Sequence, residues 1–526
     1  MTNKQLLTLS MIALAVPAGK AAAAPVAEQG DGFGVSATSG DFNGDGFIDT
    51  AIGVYGQMVN GVMYAGAVDI FYGTSAGPST VPFVLTQDGT GDDVAASDRF
   101  GEVLAAGDFN NDTFSDLVVG LPREDKGTKV DSGIVQVFAG SMAGLVASSN
   151  QLWQQGAGSV GTIEGSNTAG DLFGSSLAVG DFDGDLVDDL AVGSPGESVG
   201  SLARAGATSV IYGLAGTGLA AARNKMFHQE TTGIDGNAEA GDACGFSLAA
   251  GDFNFDLRDD LAIGCPGEGT TTSSASSFGD GAVHVLYGAA TTGLKALNSQ
   301  LWYEGVLGLP ARTWPGEHFG NALATGDFDG DNRDDLAVGI PMMRVTGTVS
   351  GVAKTWDFAG GVQIIYGVGG TGLNGARTFL LTEYKMGETV NDAGRGDMFG
   401  SRLATGYMDA GAFADLLVGA PDESLTTTIY DSGKVFAVYG ASAGITAAAH
   451  KMWHRNLRNV LGDCAAQDAF GWALTVADIN NDTLDDAVIT APNATNAGGV
   501  QFTGNASLLR GSATGLTEVG NSLLSE

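Results

Sequence analysis

Phe319-Gly320-Asn-Ala-Leu-Ala-Thr-Gly326-Asp327-Phe-Asp329-Gly-Asp331-Asn-Arg333-Asp-Asp335-Leu-Ala-Val-Gly339-Ile-Pro341 is the stretch that decides the fold. Two short apolar runs flank an acidic turn, which is how two antiparallel strands and a tight connection look in a sequence. The stretch is one copy of a repeat. Its first loop aspartate falls at Asp41, Asp108, Asp181, Asp252, Asp327 and Asp478, and a degenerate copy places Tyr407 there, so successive spacings are 67, 73, 71, 75, 80 and 71. Eight residues upstream stands Phe-Gly, at Phe33, Phe100, Phe173, Phe319, Phe399 and Phe470, with Cys244 before Gly245 in the fourth unit.

Downstream of the acidic turn the second apolar run ends in Gly-x-Pro, as at Gly120 to Pro122, Gly193 to Pro195, Gly264 to Pro266, Gly339 to Pro341 and Gly419 to Pro421. A third run ends in aromatic-Gly, and a short fourth segment holds Trp153, Phe227, Trp302 or Trp453. Four strands per unit, repeated seven times from Phe33 to the C-terminus, predict an all-β, seven-bladed β-propeller of four-stranded antiparallel blades. Residues 521–524 echo 298–302, so the last blade is expected to complete its own fourth strand, and the ring to close by packing without a shared strand. With Phe-Gly, the aspartate loop and Gly-Ala-Pro in constant order, the chain resembles the FG-GAP repeats of the integrin α-chain N-terminal propeller and of bacterial secreted proteins. That resemblance implies structural calcium and a role in adhesion or ligand binding.

Composition agrees with short strands and tight turns: 83 glycines in 526 residues and 16% charged residues. Asp plus Glu number 60 against 24 Lys plus Arg, a formal net charge of −36, which argues against a nucleic-acid partner because phosphate binding needs a basic surface. Residues 1–23 read as a signal peptide: Lys4, an apolar run from Leu6 to Val16, and small residues at Ala21 to Ala24, with cleavage expected after Ala23. A short segment, 24–32, precedes the propeller. No later stretch approaches the roughly 20 apolar residues of a membrane helix. The mature chain is therefore expected to be secreted, extracellular or at the cell surface.

Positions 1, 3, 5 and 9 of each loop carry side-chain oxygens: Asp41, Asn43, Asp45 and Asp49; Asp108, Asn110, Asp112 and Asp116; Asp181, Asp183, Asp185 and Asp189. Asp252, Asn254, Asp256 and Asp260, then Asp327, Asp329, Asp331 and Asp335, then Asp478, Asn480, Asp482 and Asp486 complete the six. Alternate oxygens on a tight turn converge, and Ca²⁺ takes six to eight oxygen ligands, so position 7 is expected to add a backbone carbonyl, at Phe47, Phe114, Val187, Arg258, Arg333 and Leu484. Isolated Asp-rich turns need no metal. Here twenty aspartates in six matching loops would repel one another without counterions, and six Ca²⁺ would move the net charge from −36 to −24. An EF-hand is excluded by the flanking strands and the missing twelfth-position Glu, and Mg²⁺ is disfavoured because it keeps its waters. The sixth loop, with Tyr407, Asp409, Gly411 and Asp415 at these positions, is expected to bind no metal.

Loops on the opposite face are longer and more varied, and Arg312, Trp314, Arg344 and Trp356 mark a candidate ligand surface for an extracellular protein or a glycan. G-x-S-x-G at Gly73 to Gly77 and Gly440 to Gly444, and G-x-G-x-x-G at Gly367 to Gly372, lie in hairpin turns, which provide no helix for a nucleophile elbow or dinucleotide loop. The five histidines are expected in loops or at the surface. Cys244 and Cys265 replace the Phe of Phe-Gly and the Ala of Gly-Ala-Pro in one unit, so a disulfide between them stands against two buried thiols, leaving Cys464 free. No acid pair recurs outside the calcium loops in this reading, which weighs against a glycosidase. The expected function is a non-enzymatic adhesion or protein-interaction module; the alternative is a lectin-like or polysaccharide-processing protein.

Overall fold

The computed structural model describes residues 28–148, 150–158, 160–269, 279–309, 314–349, 351–387, 396–457, 460–495 and 499–526. The predicted signal peptide and Arg312 lie outside them. Seven four-stranded antiparallel sheets follow one another along the chain, each with its strands in sequence order. Their first strands are Phe33–Gly40, Val103–Gly107, Ser176–Gly180, Ser247–Gly251, Ala322–Gly326, Arg402–Gly406 and Leu474–Ala477. These lie side by side in a ring, and that of blade 7 meets that of blade 1. The fold is a seven-bladed β-propeller.

Hydrophobic side chains are buried between blades. Each of seven apolar clusters draws on two neighbours, as when Phe33, Ile52, Val54 and Phe71 of blade 1 meet Val488, Leu508 and Leu524 of blade 7. A single blade would expose both faces, so closing the ring provides the burial.

The repeat motifs turn out to be the blade joints. The glycine of Gly-x-Pro in one blade packs on the glycine of Phe-Gly in the next: a Cβ on Gly339 would lie 2.0 Å from the Gly400 carbonyl oxygen, and one on Gly264 2.2 Å from that of Gly320. Only glycine allows this approach. Beside it the Phe N–H donates to the preceding blade, from Phe100 to Ala65 (2.8 Å), from Phe173 to Ser132 (3.1 Å) and from Phe470 to Ser432 (3.0 Å). At the seam Phe33 donates to Thr503 in the same way (3.0 Å). Blade 7 keeps its own fourth strand, Thr517–Leu524, and among the described residues no strand is exchanged. The ring thus closes as each inner joint does, with Thr490 standing where the other second strands have glycine and packing against Gly34.

Two small hairpins decorate the blades, Gly156–Ala157 with Thr162–Ile163 and Val345–Val349 with Val352–Trp356, the latter formed by the long insertion of blade 5.

Candidate metal loops and their surroundings

The acidic loops join first to second strands on one face. Position 1 organises the turn: the Asp41 carboxylate accepts from Gly44 N (2.7 Å), Asp45 N (3.2 Å) and Gly46 N (2.9 Å), and Asp181 and Asp327 do the same in blades 3 and 5. Position 5 accepts from the position 7 N–H, as from Phe47 to Asp45 (3.0 Å), Phe114 to Asp112 (3.0 Å) and Leu484 to Asp482 (3.0 Å). The side chains are thereby held towards the loop centre.

Position 9 has a further task. Both Asp49 oxygens are engaged, by Phe42 N (2.9 Å) and by Gly73 N (2.7 Å), the first glycine of the G-x-S-x-G match. The same bracing recurs at Asp116, Asp189, Asp260, Asp335 and the degenerate loop's Asp415, which accepts from Met408 N (2.9 Å) and Gly440 N (3.0 Å). In the sixth loop, where Asp409 is the one other carboxylate of the set, Asp415 thus ties the turn after strand three to the loop. The glycine motifs are part of this brace.

Burial is the main cause of raised carboxyl pKa values at position 9, and neighbouring loop carboxylates add to it against the lowering effect of the N–H donors and, at Asp486, of Arg510. Asp189, Asp260 and Asp335 are pushed up to about 8, Asp49 and Asp116 to about 7, and Asp486 to about 6. Such sites favour any cation, proton or metal. Oxygens of Asp181, Asp183 and Asp189, and of Asp327, Asp329 and Asp335, lie within 4.8 Å of one another, so these clusters could hold a metal ion. Asn110 Oδ1, Asp183 Oδ1 and Asn480 Oδ1 are buried without a hydrogen-bond partner among the described residues. Uncommitted buried oxygens beside carboxylates fit a hard, oxygen-seeking ion.

Several arginines, which the repeat pattern did not point to, already act as partial counterions. Arg223 pairs with Asp183, Arg377 with Asp329 and Arg333 with Asp331, while Arg258 reaches Asp256 at 3.3 Å and Arg510 reaches the buried Asp486 at 2.6 Å. Arg223 and Arg377 also stack on Tyr212 and Tyr366, at 4.7 and 4.0 Å. The loops of blades 1 and 2 have no such ion pair among the described residues. A second unforeseen group is the aspartate at position 8. Asp188, Asp259, Asp334 and Asp485 accept from the backbone N–H of the first loop residue one blade back, at Asp108 (2.7 Å), Asp181 (2.9 Å), Asp252 (3.0 Å) and Tyr407 (2.7 Å). Asp-Asp doublets in the sequence were their signal.

On the opposite face the structure corrects one expectation: acid pairs do recur outside the loops. Two residues before Phe-Gly and two after Gly-x-Pro, the pairs Asp98 and Glu124, Asp171 and Glu197, Asp242 and Glu268, and Asp397 and Glu423 are all buried at blade joints. Gln87 donates to Glu124 (3.1 Å), Gln155 to Glu197 (2.7 Å) and Gln229 to Glu268 (2.5 Å), while Lys434 pairs with Glu423 (2.6 Å). Burial raises Glu268 and Asp397 to about 8. Cys244 and Cys265 are joined as a disulfide, with Cα atoms 4.0 Å apart. His284 departs from the surface placement expected of the histidines: it sits in the third strand of blade 4, 3% exposed.

The ligand-face candidates separate. Trp314 is 47% exposed, with the Arg344 guanidinium 4.0 Å from its ring centroid and held by Asp357 at 2.5 Å. Trp356 is 6% exposed and packs on Tyr384, so it anchors the hairpin to the blade.

Against known proteins, a profile described as FG-GAP repeat matches residues 100–138, 173–211, 319–352 and 470–509, each running from Phe-Gly into the following strands. The chain carries FG-GAP repeats, arranged as a seven-bladed β-propeller. Phosphatidylinositol-glycan-specific phospholipase D is 27% identical over 408 residues in Homo sapiens and 25% over 406 in Bos taurus, covering 75% of this chain in each case. The chain spans 43% of the length of those phospholipases. Integrin alpha-PS2 of Drosophila melanogaster is 28% identical over 181 residues, 33% of this chain and 10% of its own length. No helix among the described residues is long and apolar enough to cross a membrane.

Proposed function

We propose that this FG-GAP propeller is exported, is braced by about six Ca²⁺ in its acidic loops, and serves as a non-catalytic module for adhesion or protein interaction outside the cell. The observation that carries the reading is the sixfold recurrence of one oxygen-rich loop geometry on one face of a ring that resembles integrin α-chains. Each ion would be held by the side chains at positions 1, 3, 5 and 9 with the carbonyl at position 7, and would supply the positive charge that twenty clustered aspartates lack. The recurring acid pairs of the other face do not favour a glycosidase, since they are buried at blade joints and bonded to glutamines or a lysine.

The exposed indole of Trp314, capped by Arg344, favours a second reading in which the face opposite the loops binds a glycan, because an aromatic face beside a cation stacks on sugars. A screen of the calcium-loaded chain against a glycan array that includes glycosyl-phosphatidylinositol structures, beside capture of extracellular proteins, separates the two. A protein captured only in calcium supports the first reading. Binding confined to glycans and lost in Trp314→Ala overturns it in favour of the second.

A further inference from the structure

Three departures from the repeat converge in blade 4. Cysteine replaces the Phe of Phe-Gly at Cys244 and the Ala of Gly-Ala-Pro at Cys265. In the third residue of the third strand, where the other blades carry Asp69, Gln136, Ser209, Gln363, Phe436 and Ser507, this blade carries His284. In that strand His284 pairs with Ile263 of the second strand and Leu301 of the fourth, which fixes its side chain towards the joint with blade 3.

Its imidazole is buried, and neither ring nitrogen has a hydrogen-bond partner among the described residues. A buried imidazole with both nitrogens idle is costly and calls for a missing partner. Ligand atoms of Cys244, Cys265 and His284 all lie within 4.8 Å of one another. Beside them is a cavity of about 10 Å³ lined by residues that include His228, Gln229, Cys244 and His284, room for a single ion or water. Gln229 brings its side-chain oxygen to 3.4 Å from the Cys244 sulfur.

We propose that reduction of the Cys244–Cys265 disulfide opens a binding site for one zinc-type metal ion, held by the two thiolates and the His284 imidazole. Two sulfurs and one neutral nitrogen form a borderline-soft donor set that suits Zn²⁺ and not Ca²⁺, with a water or the Gln229 oxygen as fourth ligand. Oxidation closes the site. Two thiolates and a low-molecular-weight disulfide, with two protons, give the protein disulfide, two small thiols and the released metal ion; the two electrons lost by the cysteine sulfurs pass to the small disulfide. Zinc retention at this joint thus reports a reducing environment. The inference is independent of the calcium loops, which offer oxygens only.

The test uses the full chain with a thiol-free reductant and excess Ca²⁺ to occupy oxygen sites, and Co²⁺ as the probe. The expected result is one equivalent of Co²⁺ with a thiolate-to-cobalt charge-transfer band and tetrahedral visible bands, displaced by Zn²⁺ and absent from the oxidised chain. Cys244→Ser with Cys265→Ser should abolish the band, and His284→Gln should weaken binding by about tenfold or more. Because the reduced apo chain could lose its fold, metal content is also measured in chain produced under reducing conditions with zinc present, where the ion binds during folding. One equivalent of zinc lost in His284→Gln supports the site. A reduced wild-type chain without the band and without retained zinc overturns it, as does zinc retained equally by His284→Gln.

Discussion

Removing calcium at alkaline pH is the perturbation that bears most directly on the acidic loops. An ion that binds only the folded chain stabilises it by mass action, so about 10 mM free Ca²⁺ on a site of about 1 mM affinity contributes about 1.4 kcal/mol, and six sites about 8 kcal/mol. With an unfolding entropy of about 2 cal/mol/K per residue, some 1 kcal/mol/K for a chain of this size, excess EDTA should lower Tm by about 8 °C. The pH dependence follows from position 9. Asp189, Asp260 and Asp335, held near 8 in the metal-free fold, and Asp49 and Asp116, held near 7, keep protons that the unfolded chain releases near 4. Raised folded values mean that more protons are bound folded than unfolded across this window, so metal-free stability falls as pH rises from about 4 to about 8. Calcium displaces those protons and supplies the lost compensation, so its gain in Tm should be larger near pH 8 than near pH 5. Scanning calorimetry in calcium and in EDTA at both ends measures it. A melt indifferent to EDTA near pH 8, or a calcium gain larger in acid, would refute the reasoning.

Asp415→Ala removes a brace without a metal and should cost about 2–3 kcal/mol by denaturant unfolding in calcium and in EDTA alike, for two buried N–H donors left unpaired. Asp45→Asn, in a loop predicted to bind calcium, should cost stability only when calcium is present. Trp356→Ala should destabilise the chain by about 3–5 kcal/mol as a core truncation, whereas Trp314→Ala should leave Tm unchanged and remove any glycan signal. Intact mass before and after reduction should rise by two hydrogens, reporting one disulfide, and peptide mapping should place it at Cys244 and Cys265 with Cys464 unpaired.

Strand order, blade number and the loops were legible because each blade restates the same landmarks, and a repeated error in reading one would have shown up as a broken period. The spacing also located Asp415 in a loop with only one other carboxylate of the set, Asp409, but not its purpose, since its partner Gly440 lies in a turn that only the third strand brings near. Arg223, Arg377 and Arg510 were hidden for a related reason: they come from third and fourth strands, whose lengths vary between blades, and the pairing of those strands shifts register at bulges beside Val210 and Tyr212 and beside Leu508 and Arg510. The buried acid pairs were present in the sequence as an Asp two residues before Phe-Gly and a Glu two after Gly-x-Pro. Each member alone reads as an ordinary polar loop residue, and only the packing of glycine on glycine across the blade joint buries both. The same joint explains why the ring tolerates so acidic a chain. Carboxylates on one face are gathered where ions and arginines can reach them, while those on the other lie in buried pairs whose members bond to glutamines, lysines and backbone N–H groups, and apolar contact between the blades separates the two sets.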